Sequence, residues 1–402
     1  MKIRTILLTL ITIFLLGAVL AGIVSAREPV REAEAVQLSN VRDYAAAASP
    51  TGLSYAVDGG LLYAGNGASW QRLPTPAGVI VNAVAVSSRQ AELVYMGAAN
   101  ELAIYVSSDA GQTWMKIALA TQAVGAVTDI AVDGANRLVY VGTDTDGMHR
   151  LRDVGSSMIA AGHLLLDEPV EEIVAASNGM ALVRTGWHLY RAEDMGLRWV
   201  AVENLPSPAT ALAIAQTTPP TFYVGTAASG VRMSQDGINW QSANSGLNFT
   251  PGSQLFVNDV AVDPAQPAVV YAATSLIFGS ANAHITPVGV AMSTDGASNW
   301  SALTPMNDVA VAVLMPVSGE TGAVYALTAA SRTPLALGSA PQTTTLAAAQ
   351  STPLAPDFTG LLAWVLAALA GVGLALLAVL EVRQRGGGSG KPSGRSGLPA
   401  AV

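Results

Sequence analysis

The 402-residue chain contains no cysteine, which excludes disulfides, thiolate metal sites and lipid attachment at an N-terminal cysteine. Charge is scarce too, since Asp, Glu, Lys and Arg together make up 12% of the residues. A hydrophobic share of 51% is nevertheless too high for a disordered protein. Lysine nearly vanishes from the middle of the chain, where Lys116 is the only one between residues 27 and 357. Fourteen of the 20 basic and 27 of the 28 acidic residues fall in that stretch, a formal charge of about −13. Such a surface repels phosphate backbones and argues against nucleic acid as a partner. Signatures of chemistry are missing as well: there is no Ser-His-Asp motif, phosphate loop or dinucleotide fingerprint. His149, His163, His188 and His284 share no metal-ligand spacing and read as isolated loop or surface histidines. Asp144-Thr145-Asp146-Gly147 opens like a calcium loop but lacks the Glu that closes one, so it reads as a turn. No catalytic residue, metal ligand or cofactor is expected.

Long apolar runs are confined to the two ends. Lys2 and Arg4, the run Ile6–Leu20 and the small residues before position 27 predict a secretory signal over 1–26, cut after Ala26; an uncleaved anchor is the alternative. Residues 358–380 carry no charge and are long enough for one transmembrane helix. Arg383, Arg385, Lys391 and Arg395 follow it, which places the 381–402 tail in the cytoplasm and the preceding domain outside. Residues 336–357, rich in Ser, Thr, Pro and Ala, predict a flexible stalk. The expected location is the cell membrane, spanned once.

Between the ends, short β-branched runs alternate with Gly, Asp, Asn and Pro turns, predicting an all-β domain over 27–335. A strand of the form Asn/Asp-x-Ala-Val recurs at Asn82, Asp129 and Asn258–Asp259. A second, Val-Tyr-x-Gly, recurs around Tyr95, Tyr140, Tyr223 and Tyr271. A third element ends in Trp at 70, 114, 199, 240 and 300, with Met158 in the remaining slot, at spacings of 44, 44, 41, 41 and 60. A four-strand unit with that period is a propeller blade. Units near 41–75, 80–118, 126–160, 170–202, 209–243, 257–303 and 307–335 give seven four-stranded blades, or six if the first or last is a remnant. The segment Val36–Ala46 is expected to supply the strand missing from the last blade and so close the ring. The sixth unit is longest, through an insert near Ser275–Pro287 read as a functional loop.

The third element resembles a family motif. Ser107, Asp109, Gly111, Thr113 and Trp114 match every position of the Asp-box, Ser-x-Asp-x-Gly-x-Thr-Trp, of the bacterial neuraminidase repeat (BNR) propellers. Ser293, Asp295, Gly296 and Trp300 keep most of it with the Gly one place early, and Ser234, Asp236, Gly237 and Trp240 form a box one residue short. Asp194, Gly196 and Trp199 keep the skeleton, Asp153 and Gly155 keep it ahead of Met158, and the first copy retains Gly67 and Trp70. The resemblance implies a structural role at the propeller rim, away from the ligand face. Physically, the carboxylate caps a turn, Gly supplies its backbone freedom and Trp seals adjacent sheets. One carboxylate per turn offers too few oxygens for Ca²⁺.

The sialidases of this class use an arginine triad, and their Arg-Ile-Pro signature is absent here. Arg72, Arg89, Arg137, Arg150, Arg184, Arg191, Arg232 and Arg332 read as scattered solvated side chains. The expected function is a non-catalytic, membrane-anchored module that binds an unidentified protein or glycan through loops of the ring face and the insert around Phe278–His284. A degenerate sialidase-like glycoside hydrolase and an assembly factor for a membrane complex are the alternatives.

Overall fold

In a computed structural model the described residues are 36–340, apart from 50–51, 66–68, 156, 248, 280–282 and 306–308. The predicted signal, membrane span and tail, the stalk beyond 340 and Gly67 lie outside them. Among the described residues no helix is long and apolar enough to cross a membrane.

Among the described residues, twenty-seven strands form seven antiparallel sheets, six of four strands and one of three. In every sheet, strands pair in chain order. The result is a seven-bladed, all-β propeller, with the first strand of each blade innermost. These innermost strands are Val41–Ala46, Val81–Val86, Val127–Asp133, Val170–Ala175, Ala209–Ala215, Ser253–Asp263 and Val311–Pro316. Each carries one extra residue at the same place: Arg42, Asn82, Thr128, Glu171, Thr210, Asn258 and Ala312 are each skipped by the pairing with the second strand. Such a bulge bends the strand and re-aims the side chains beside it.

Apolar side chains of neighbouring sheets interleave in seven clusters, one per blade interface. The recurring tyrosine is the anchor. Tyr55, Tyr95, Tyr140, Tyr223, Tyr271 and Tyr325 are buried on the second strands, with Leu182 in that place in the fourth blade. The Gly of Val-Tyr-x-Gly has a steric reason. A Cβ on Gly97 would lie 2.4 Å from Val127 of the next blade, and one on Gly142 or Gly225 would press as closely on Val170 or Val257. The recurrent Trp seals the interface with the preceding blade. Trp70 and Trp300 are buried, while Trp114, Trp199 and Trp240 pack half-buried against their clusters, as does Met158.

Three expectations change. Val36–Ala46 does not complete the last blade: Val41–Ala46 is the innermost strand of the first blade, and Val36 pairs with its outer strand at Trp70. Among the described residues the seventh blade has three strands, and its contact with the first blade is made by packing. Its Met315, Tyr325 and Leu327 share a cluster with Val41, Tyr63 and Trp70, and the Ser318 hydroxyl donates to the Ala47 carbonyl at 2.7 Å. That blade also runs past 335, since Leu335–Gly338 is its third strand and Ala340 is buried. Finally, the insert in the sixth blade is strand rather than loop, with Ser275 to Phe278 pairing Pro287 to His284. The β-branched and aromatic side chains of Leu276-Ile277-Phe278 and His284-Ile285-Thr286 favour this extension.

Candidate functional site at the mouth of the central channel

The innermost strands enclose a channel of about 670 Å³. Immediately after the bulge, four of them carry an acid: Asp43, Asp129, Glu172 and Asp259, all partly exposed to the channel. Each acid reaches across to the next innermost strand. Asp43 accepts from the Val84 N–H at 2.7 Å, Asp129 from Ile173 at 2.5 Å, Glu172 from Leu212 at 3.0 Å and Asp259 from Leu314 at 2.6 Å. The three aspartates also accept from the N–H of the residue that follows each of them, Tyr44, Ile130 and Val260.

Blades two and five have Ala83 and Ala211 at this position, and the bulge residue bridges instead. Asn82 donates to the Val127 carbonyl and Thr210 to that of Val257, each at 2.6 Å. Across the ring closure the Tyr44 hydroxyl donates to the Pro316 carbonyl at 2.8 Å. Every blade interface thus has a polar clasp near the axis. Burial pushes the acids up, Asp129 to about 6, Asp43 and Asp259 to about 7 and Glu172 to about 8; the Asp129 charge raises Asp43 further. Arg184 opposes the rise at Glu172, donating to it at 3.2 Å while also pairing with Glu171.

Two of the arginines expected to be scattered, Arg184 and Arg332, line the channel together with Arg42. Arg150 is buried rather than solvated, with its guanidinium bonded to the carbonyls of Met195 and Ala161 at 2.8 Å.

Strand order puts the sequence-predicted Asp-box residues on the opposite face. An antiparallel blade that begins at the channel mouth has its third-to-fourth turn at the far end. At Asp109, one carboxylate oxygen accepts from the Ser107 hydroxyl and from the N–H groups of Gln112 and Thr113. The other accepts from the Thr113 hydroxyl at 2.6 Å. Asp236 and Asp295 are held the same way by Ser234 and Ser293, with the amides of Asn239 and Asn299 replacing the Thr hydroxyl. These donors lower all three acids, Asp109 and Asp295 to about 2. An oxygen pair surrounded by N–H and O–H donors is a turn cap.

The early Gly296 is accommodated because Gly296 and Ala297 repeat the two left-handed residues Ala110 and Gly111. In the imperfect boxes, Asp153 accepts from the Gly155 N–H at 2.6 Å. Asp194 departs from expectation. It lies in a short 3₁₀ turn at φ +50° with an exposed side chain, and its nearest charged partner is Arg198 at 3.9 Å. Without a Ser before it, that turn is anchored through Arg150 and the Met195 carbonyl instead.

The channel-mouth face consists of the loops that join blades and those between second and third strands. Trp187 and Phe249 are the only aromatics among the exposed large apolar side chains of the described residues, and both lie on this face; Trp187 is 79% exposed. The same face brings together residues that sequence spacing kept apart, Asp146, His149 and His163. His188 pairs with Glu168, and His284 begins the extended hairpin strand.

No family model matches the chain, and no curated protein matches it. Among solved structures it is similar to the GH74 xyloglucanase from Xanthomonas campestris, with a TM-score of 0.54 and 18% identity. That match covers 74% of this chain and 52% of the enzyme, about half its length. YCF48 bound to a D1 peptide aligns with a TM-score of 0.51 and 14% identity, over 77% of this chain and 97% of that one. A chain of the mitotic checkpoint complex aligns at 0.50 and 15%, over 77% and 94%. At these identities the likeness shows the β-propeller fold, which serves a glycoside hydrolase and peptide- or protein-bound molecules alike.

Proposed function

We propose that the chain is a membrane-anchored, extracytoplasmic Asp-box propeller that binds a protein segment at the channel-mouth face and performs no chemistry. The observation that carries this reading is the exposure of Trp187 and Phe249 on that face, where large rings gain most from being covered by a partner. The turn caps at Asp109, Asp236 and Asp295 support the Asp-box assignment. The uncharged run 358–380 with its basic flank supports the anchor.

The runner-up, a glycoside hydrolase, draws on the acids and the three arginines of the channel. Against it, Asp43, Asp129 and Asp259 accept backbone N–H groups on both carboxylate oxygens, and Arg184 holds one oxygen of Glu172 while pairing with Glu171, which leaves Glu172 Oε1 as the one free lobe among these acids. A general acid or base needs a free lobe toward the substrate. The test is co-purification from solubilised membranes. A stoichiometric partner retained by the wild type and lost from Trp187→Ala supports the reading. Turnover of a glycan that disappears in Asp129→Asn contradicts it.

A further inference from the structure

We infer that Asp146, His149 and His163 form a three-ligand site for a divalent transition-metal ion of the Zn²⁺ type. His149 and His163 face each other directly across the third and fourth strands of the third blade, with their rings stacked 4.3 Å apart, so a ring rotation is needed to turn both in-plane lone pairs onto one ion. Asp146 sits in the loop that leads into the third strand. Its Oδ2 lies 2.9 Å from His149 Nε2 and 3.6 Å from His163 Nε2, and all three ligand atoms fall within 4.8 Å of one another. Tetrahedral zinc with bonds of about 2.0–2.1 Å sets its ligand atoms about 3.3 Å apart. The two distances bracket that spacing.

The surroundings are built in advance. The Asp146 N–H donates to the Thr143 hydroxyl at 2.9 Å, and that hydroxyl donates to the Gly147 carbonyl at 2.8 Å. Asp144 Oδ1 accepts from Ala126 at 2.7 Å, and Thr145 donates to the Val124 carbonyl. Supports of this kind fix ligand orientation in metal sites.

The fold does not require these three side chains. The fifth blade builds the same loop, with Thr226 donating to the Gly230 carbonyl and the Ser229 N–H donating to Thr226. There, Ser229 and Arg232 stand where the third blade has Asp146 and His149, and Ser242 pairs with Arg232 across the strands. The ligand set is therefore an addition to a generic frame.

His149 is buried while the His163 side chain is 40% exposed, so three protein ligands would leave a fourth position open to water or to a partner's donor. Two imidazoles disfavour Ca²⁺ and Mg²⁺, which prefer all-oxygen shells. His163 Nε2 also lies 2.7 Å from the Asp146 carbonyl, to which it donates its N–H, so metal uptake breaks that contact and shifts the proton to Nδ1, leaving the Nε2 lone pair for the ion.

The test uses the full-length, tag-free chain in detergent, stripped with chelator and titrated with Zn²⁺ by calorimetry and with Co²⁺ by visible absorption. The expected result is one equivalent bound, with tetrahedral Co²⁺ bands. His163→Ala and Asp146→Asn should each weaken binding by more than the roughly 10- to 100-fold that loss of a mere supporting contact costs. His188→Ala should leave it unchanged. His163 lies on an exposed outer strand, so its variant retains the wild-type thermal midpoint without metal. Wild-type uptake no greater than that of His163→Ala overturns the inference.

Discussion

Asp259 of the sixth blade accepts the backbone N–H of Leu314 in the seventh at 2.6 Å, one of the side-chain-to-backbone bonds that join the two blades, together with Gly319 N–H to Asp263 and Gly322 N–H to the Tyr271 hydroxyl. Leu314 and Val260 are both buried, so removing the carboxylate strands two N–H groups. Asp259→Ala is expected to cost about 1–3 kcal/mol for each donor left unsatisfied. Urea unfolding monitored by tryptophan fluorescence reads this directly.

The same clasps set an unusual pH dependence. Asp43, Asp129, Glu172 and Asp259 have folded values between about 6 and 8, above the ordinary carboxylate range they regain on unfolding. The folded state therefore holds protons more tightly. Their contribution to stability is fully present below the unfolded values and is lost as pH rises through about 6 to 8. Asp109, Asp236 and Asp295 are lowered, and their contribution is lost only when pH falls below the ordinary range. The thermal midpoint is expected to be higher near pH 5 than near pH 8. The slope should flatten in an Asp43→Asn, Asp259→Asn double variant, which general relief of the acidic surface would not reproduce.

Gly97 tests the contact that makes blades nest. Its missing Cβ leaves room for Val127, which would otherwise lie 2.4 Å away. Gly97→Ala is expected to destabilise by about 1–3 kcal/mol through overpacking. Val127→Ala in the same chain should recover part of that loss, a non-additivity that a double-mutant cycle measures.

Two tryptophans separate scaffold from surface. Trp300 is buried, with its indole N–H donating to the Ala243 carbonyl at 2.7 Å, and Trp300→Ala should cost about 3–5 kcal/mol. Trp187→Ala should change stability by no more than about 0.5 kcal/mol. Equal losses from the two, measured by chemical denaturation, would place Trp187 in the scaffold.

The blade period was legible because Trp and Val-Tyr-x-Gly recur in linear order, each for a packing reason that every interface repeats. The turn caps at Asp109, Asp236 and Asp295 were legible for the same reason, as their partners lie within four residues. The clasps were not. Asp43 and Glu172 have Ala83, Ala211 and Val313 as their counterparts in other blades, and a bulge invisible in sequence is what aims them at the next strand. The Asp146–His149–His163 cluster escaped because a hairpin, and no ligand spacing, brings His163 opposite His149. Ring closure by packing rather than by a borrowed strand depends on contacts between the two ends of the propeller, which local pattern does not encode.

The proposed binding places the partner on the channel-mouth face. Hydrogen–deuterium exchange of the full chain, with and without its co-purified partner, tests it most directly. Protection is expected in the loops at 119–126, 164–169, 185–188 and 243–252, with the turns at 108–114, 235–240 and 294–300 unchanged. Protection confined to those turns would put the partner on the opposite face and contradict the account.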